Sequence, residues 1–239
     1  MKILIVGCSL SYGSGFPLEV NDPQIWPNQL KKKLKSSITN ISVPGYDNTG
    51  IFLNAADEMF KNHYNLVLVQ LSVLNRVVVS PNMHGRILVS QPNINYSSWT
   101  ALINKQEYNK FFQIFYKFNG NFEHWLRLVK IITTLENIAK ATNQNLKFIN
   151  GMLNWDQEFF NNYESKFANE LIDADSLPDS DIATGLKIIN KEKEKINLDL
   201  WIDPYRSLYN QKVDDVSISD DHPGPASHTL YTDIILKNL

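Results

Sequence analysis

The sequence predicts a three-layer α/β/α domain built on a parallel sheet of about five strands. Two patterns carry that expectation: short, wholly apolar runs that stop at glycine or polar turns, and longer segments between them with apolar residues at helical spacing. Composition agrees, since 239 residues with 43% hydrophobic and 20% charged side chains suit one globular domain over 1–239. Residues 80–130 are a candidate helical cap or insertion within it.

The elements follow in order. Ile3, Leu4, Ile5 and Val6, stopped by Gly7, read as a central strand buried on both faces. Residues 24–34 read as a helix, with Pro27 near the front, where proline's missing N–H costs nothing. Asn40, Ile41, Ser42 and Val43 read as a second strand, cut by Pro44 and Gly45. Residues 51–60 form a helix with Phe52, Ala55, Ala56 and Met59 on one side. Residues 66–71 are the strongest strand signal, and 77–79 either continue it or form an edge piece. Residues 80–104, rich in Pro, Asn and Ser, read as a long surface excursion in which Met83 and Trp99 offer an apolar wall.

Two helices are expected over 105–118 and 121–142, the second carrying Trp125, Leu126, Val129, Ile132, Leu135 and Ile138 at three- and four-residue steps. Residues 146–150 form a strand ended by Gly151. After a weaker helical stretch over 155–197, residues 198–202 read as a short last strand. Residues 209–221 read as loop, and 228–236 as a closing helix.

Net charge of -2 gives no basic field for nucleic acid or for an anionic membrane. The lysines at 31–33 read as a solvated helix face. A single cysteine, Cys8, leaves no intrachain disulfide and no cysteine-rich metal site, and suits a reducing compartment. The first residues lack a secretory pattern, and no run reaches the ~18 apolar residues of a membrane helix, so a cytoplasmic location is expected. His63, His84 and His124 have no partners at metal-site spacing and are given no role; no metal is expected.

Ligands of such a sheet gather at the carboxyl ends of its strands, where strand order reverses. Four blocks fall there: Gly7-Cys8-Ser9 after the first strand, Gly45 to Asn48 after the second, Ser72 to Arg76 after the third, and Asp220-Asp221-His222-Pro223 before the last helix. A flavodoxin-like topology would bring their hydroxyl, amide and imidazole groups together.

In that order the four blocks resemble the SGNH or GDSL hydrolases, in a variant branch that begins Gly-Cys-Ser in place of Gly-Asp-Ser. Trp26-Pro27, Asn40 and the second histidine, His228, six residues after His222, resemble that branch too. The resemblance covers roughly 1–76 and 199–239. It implies ester or acyl hydrolysis with Ser9 as nucleophile, His222 as base and an aspartate orienting the imidazole, without a cofactor. The substrate implied is a small-molecule or carbohydrate ester. The oxyanion would meet the amides of Ser9 and Gly45 and a side-chain amide from Asn48 or Asn75. Arg76 either contacts a polar or anionic substrate group or forms a surface ion pair.

Three departures matter. Cys8 replaces the aspartate of the family name and reads as a small packed residue. The usual acid position, three residues before the histidine, is Ser219; Asp220 is preferred over Asp221, because a neighbouring residue points away from the ring. The third block lacks its usual Gly-x-Asn-Asp form. Simpler readings stand beside these: Ser9 as a helix cap, Gly45 as a turn glycine, His228 as a structural residue. Three other functions compete. An O-acyltransferase would use the same site, and an inactive binding domain would keep only the fold. A phosphate binder on the 7–15 loop would lack the usual Lys-Ser/Thr signature and leave His222-Pro223 unexplained.

Overall fold

The computed structural model describes residues 1–74, 76–79, 87–89, 121–153, 184, 187, 188 and 191–239. Its centre is a five-stranded parallel sheet of β1 (Lys2–Val6), β2 (Ser37–Asn40), β3 (Leu66–Leu71), β6 (Leu146–Asn150) and β7 (Trp201–Ile202). The strand order is β2-β1-β3-β6-β7. Order reverses between β1 and β3, so the crevice for a ligand opens at their carboxyl ends.

Burial explains which strands the sequence announces. Ile3 to Val6 are fully buried and every residue of β3 is buried, so both runs are apolar with little alternation. The second strand is an edge strand of half-exposed residues and carries no such signal. It lies at Ser37–Asn40, three residues before the expected 40–43, because pairing with Lys2 to Ile5 sets its register. Asn40 ends it: the side chain donates to Ser11 O at 2.8 Å and accepts from Ser42 N at 3.1 Å.

Helices α2 (Trp26–Leu34) and α3 (Asn48–Lys61) connect the first three strands, and α4 (Asn121–Ala141) and α5 (Pro225–Lys237) follow. The short α1 (Ser9–Tyr12) turns the chain directly after β1. Packing pairs α2 with α5 and α3 with α4. Right-handed crossovers put these pairs on opposite faces, giving the three layers. Helix α3 starts three residues earlier than its apolar pattern because Asp47 caps it, accepting from Gly50 N at 2.7 Å.

Two small antiparallel hairpins stand outside the main sheet: β4 (Val77–Val79) with β5 (Ile87–Val89), and β8 (Asp215–Ser217) with β9 (Asp220–Pro223). The first makes 77–79 a separate piece, as one of the two expectations had it. The second corrects the expectation of loop over 209–221. Its residues are mostly exposed and polar, so no hydrophobic period marks them. The helix expected over 105–118, and Met83 and Trp99, lie outside the described residues. Among those described, no helix is long and apolar enough to cross a membrane.

Candidate active site

The turn after β1 is built around a buried amide. Gln70, fully buried on β3, accepts from Cys8 N at 3.1 Å and from Ser11 Oγ at 2.9 Å through Oε1. Its Nε2 donates to Leu71 O at 2.8 Å. A Cβ on Gly7 would stand 2.6 Å from that Oε1, so only glycine lets the turn close over Gln70. Cys8 is fully buried, with Sγ 3.9 Å from Met152 Sδ. Burial pushes its thiol up, but the Arg76 guanidinium, the Leu10 amide and Gln70 outweigh that and leave it below the usual thiol value.

Ser9 is the first residue of α1 and is 8% exposed, less open than the strand-to-helix turn implied. Cys8 holds the cap position, and its carbonyl accepts from Ser11 N and Tyr12 N. Ser9 therefore does not serve as the N-cap. The contact of its Oγ is with Cys8 Sγ at 4.0 Å, a weak one, which leaves the hydroxyl without a strong partner among the described residues.

His222 and Asp220 reach this turn from the far end of the sequence, because β9 packs against α1. A Cβ on Gly15 would stand 2.7 Å from Asp220 Oδ2, which fixes how closely the two ends approach. His222 Nδ1 lies 2.6 Å from Asp220 Oδ1, and the same oxygen accepts from His222 N at 3.1 Å. Burial raises the Asp220 carboxyl, yet the hydrogen bonds from the His222 ring and amide and the ring's charge bring it below the usual value. Asp221 makes no hydrogen bond to the ring; its Oδ2 accepts from Tyr209 Oη at 3.0 Å. Among the described residues, no hydrogen bond joins Ser9 Oγ to the His222 ring.

Gly45 sits at φ +74° in a turn where Tyr46 N donates to Val43 O at 3.3 Å, with Pro44 before it. Proline then glycine is what this turn type asks for. The amides of Ser9 and Gly45 have no acceptor among the described residues, so two free donors lie past the ends of adjacent strands. Asn48 is differently engaged. Its Oδ1 accepts from Ser72 N at 2.8 Å, and Nδ2 lies 3.3 Å from both Ser72 O and Val73 O. That amide ties α3 to the loop after β3. Asn75 lies outside the described residues. Arg76 is half-buried, reaches Tyr46 O at 3.5 Å, and forms no ion pair among the described residues.

The second histidine is structural. His228 is 1% exposed, accepts from Trp26 N at 3.1 Å through Nδ1, and meets Phe16 and Tyr231 edge-on. Burial lowers its pKa to about 4, against the opposing pull of Asp214 and Asp22.

Two organisers escaped the sequence reading. Gln70 looked like one polar residue in a strand. Asp214 fastens the start of α5: its carboxylate accepts from Ala226 N at 2.9 Å and Ser227 N at 2.7 Å, so the helix after His222 is held in place. The signal for Asp214 was a carboxylate upstream of an uncapped Gly-Pro helix start, and that signal is weak.

No family model and no curated relative matches this sequence. Solved structures do resemble it. TesA is 14% identical over 100% of this chain and 98% of its own, with a TM-score of 0.53. The acetyl xylan esterase AlAXEase is 12% identical, with both chains fully covered and a TM-score of 0.50. A catalytic mutant of Axe2, an acetylxylan esterase from Geobacillus stearothermophilus, is 10% identical over 99% of this chain and 93% of its own, with a TM-score of 0.50. Identities this low speak to architecture alone. The chain has the α/β/α fold of the SGNH/GDSL hydrolases.

Proposed function

We propose that the protein is a serine esterase or acylhydrolase with Ser9, His222 and Asp220 as its triad. The observation that carries this reading is the 2.6 Å contact between His222 Nδ1 and Asp220 Oδ1 on a strand packed against the Ser9 turn. With Nδ1–H donated to the carboxylate, Nε2 is left as the proton acceptor. It takes the Ser9 proton as Oγ attacks the ester carbonyl, and returns it to the departing alcohol oxygen. Water then repeats the sequence on the acyl-enzyme, releasing the acid and restoring Ser9.

The oxyanion is met by the amides of Ser9 and Gly45, with Asn75 as the side-chain donor in this reading, since the Asn48 amide already serves two carbonyls. Small esters are the proposed substrates, carbohydrate esters included, in keeping with the acetylxylan esterases of like fold. Whether water or a second alcohol resolves the acyl-enzyme distinguishes hydrolase from O-acyltransferase, and an activated ester offered with sugar acceptors tells them apart.

A second reading has one observation in its favour. The lack of a Ser9–His222 hydrogen bond suits a binding domain that has lost turnover. Fluorophosphonate labelling decides between the two. Covalent modification of Ser9 in the folded protein, lost in His222→Ala, is expected; an unmodified Ser9 ends the hydrolase reading.

A further inference from the structure

At the same end of the sheet a small cleft, partly open to solvent, lies between the start of α3 and α4, with room for about one water-sized group. Asn48 and Thr49 line one side, Arg76 comes from the loop after β3, and His124, Arg127 and Leu128 come from α4. It adjoins the Ser9 turn: Arg76 is near enough to act on the Cys8 thiol, and Asn48 holds the loop that carries Arg76.

The cleft's polar groups call for a negative guest. Arg76 and Arg127 cannot shed their charge, and among the described residues neither has a carboxylate partner. His124 is 3% exposed, yet its Nε2 has no hydrogen-bond partner among the described residues. A buried polar atom left in this state is costly and needs an explanation. Burial and the Arg127 charge hold the ring's pKa below its usual value while Asp47 pulls the other way, so the ring is neutral and can offer a single N–H. The α3 N-terminus adds its partial positive charge. Among the described residues Asp47 is an acid close to the ring, and its Oδ1 is bonded to Gly50 N in the helix cap.

We infer that this cleft is an anion subsite, taking one oxygen of a carboxylate or phosphate group of the substrate between Arg76 and Arg127, with His124 Nε2 as the buried donor. The favoured substrates are then esters that carry a second, charged group, such as the half-ester of a short dicarboxylic acid. Leu74, Leu128 and Ile131 complete the lining. The word substrate rests on the hydrolase reading; the anion seat does not.

Two measurements separate those dependencies. In the first, Ser9→Ala protein is titrated with monomethyl succinate, with inorganic phosphate and with neutral dimethyl succinate. Saturable binding of one anion is expected, at least tenfold tighter than the neutral diester, weakened about tenfold by Arg127→Ala or Arg76→Ala and weakened further by salt. Which anion binds more tightly assigns carboxylate or phosphate. Arg127 is exposed, so its replacement leaves the fold intact, and an unchanged melting temperature verifies this. In the second, kcat/KM of the wild type is compared for 4-nitrophenyl hydrogen succinate and 4-nitrophenyl butyrate. A preference of about tenfold for the charged ester is expected, collapsing in Arg127→Ala. Anion binding indifferent to both arginines, or no anion binding at all, overturns the subsite even if both esters are cleaved. Anion binding without cleavage of either ester keeps the subsite and removes the hydrolase.

Discussion

His222 and His228 stand six residues apart on either side of Gly224, and the structure gives them opposite surroundings. His222 lies on an exposed hairpin, half-buried, with Nδ1 on a carboxylate that itself faces the Ser9 turn. His228 lies one turn into α5, buried, with Nδ1 accepting a backbone amide from α2. A carboxylate partner stabilises the charged ring and leaves the other nitrogen free to move a proton. An amide partner requires the neutral ring and ties it to the packing of two helices. In the proposed mechanism the same side chain therefore serves as a proton carrier or a strut according to what its Nδ1 meets.

The comparison is tested most severely by turnover. Ser9→Ala and His222→Ala are each expected to lower ester hydrolysis by at least ~10³-fold while leaving the melting temperature within a few degrees of wild type. His228→Ala should do the reverse, losing about 2–4 kcal/mol of stability through the vacated ring and the orphaned Trp26 amide, with residual activity tracking the folded fraction. Chemical denaturation beside an assay with an activated ester reads both. If His228→Ala kills a stably folded protein, the division of labour is wrong.

Asp220→Asn is expected to cost roughly 10²-fold in kcat, and Asp221→Asn far less, because only Asp220 touches the ring. A larger defect for Asp221 would reassign the acid. Gln70→Leu should cost about 2–3 kcal/mol, since the Cys8 amide and the Ser11 hydroxyl lose their buried acceptor. Activity should fall too as the Ser9 turn loosens.

The last test is pH dependence. His228 has a folded pKa of about 4 against about 6.5 unfolded, so between those values the unfolded chain binds more protons. Its contribution to stability is complete above about pH 6.5 and is lost as pH falls toward 4, on the order of 3 kcal/mol in all. Urea midpoints measured from pH 7 to 4 should fall, and His228→Phe should flatten that slope. An unchanged slope in the variant would place the acid sensitivity elsewhere, with Asp214 and Asp220 the next groups to test, since their lowered pKa values make them stabilising at higher pH.

How much of the site could be read beforehand depends on where each residue's partners lie. Ser9 and His222 were legible because each adjoins a strong local signal: the run at 3–6 for one, a His-Pro pair before a helix for the other. Asp220 was favoured over Asp221 on local geometry, and the ring contact is on that carboxylate. The strand at 37–40 was misplaced by three residues, because Ser-Ile-Thr-Asn has no apolar pattern of its own. The hairpin at 215–223 was missed for the same reason. Asn48 was weighed as an oxyanion donor, and its commitment to Ser72 and Val73 was invisible until α3 met the loop after β3.

The sequence by itself determined the layered architecture, since burial on both faces of a parallel sheet forces apolar runs and helical stripes that no other fold class needs. It also determined which residue types stand at the carboxyl ends of the strands. Only the tertiary structure decided which of those groups meet. Gln70 between Gly7 and Gly151, and Asp220 against Gly15, are contacts between segments far apart in the chain, and Arg76 and Arg127 come to line one cleft from positions about fifty residues apart. Hydrogen bonds and charges act over a few ångströms, so their partners are fixed by packing, and spacing along the chain cannot reveal them.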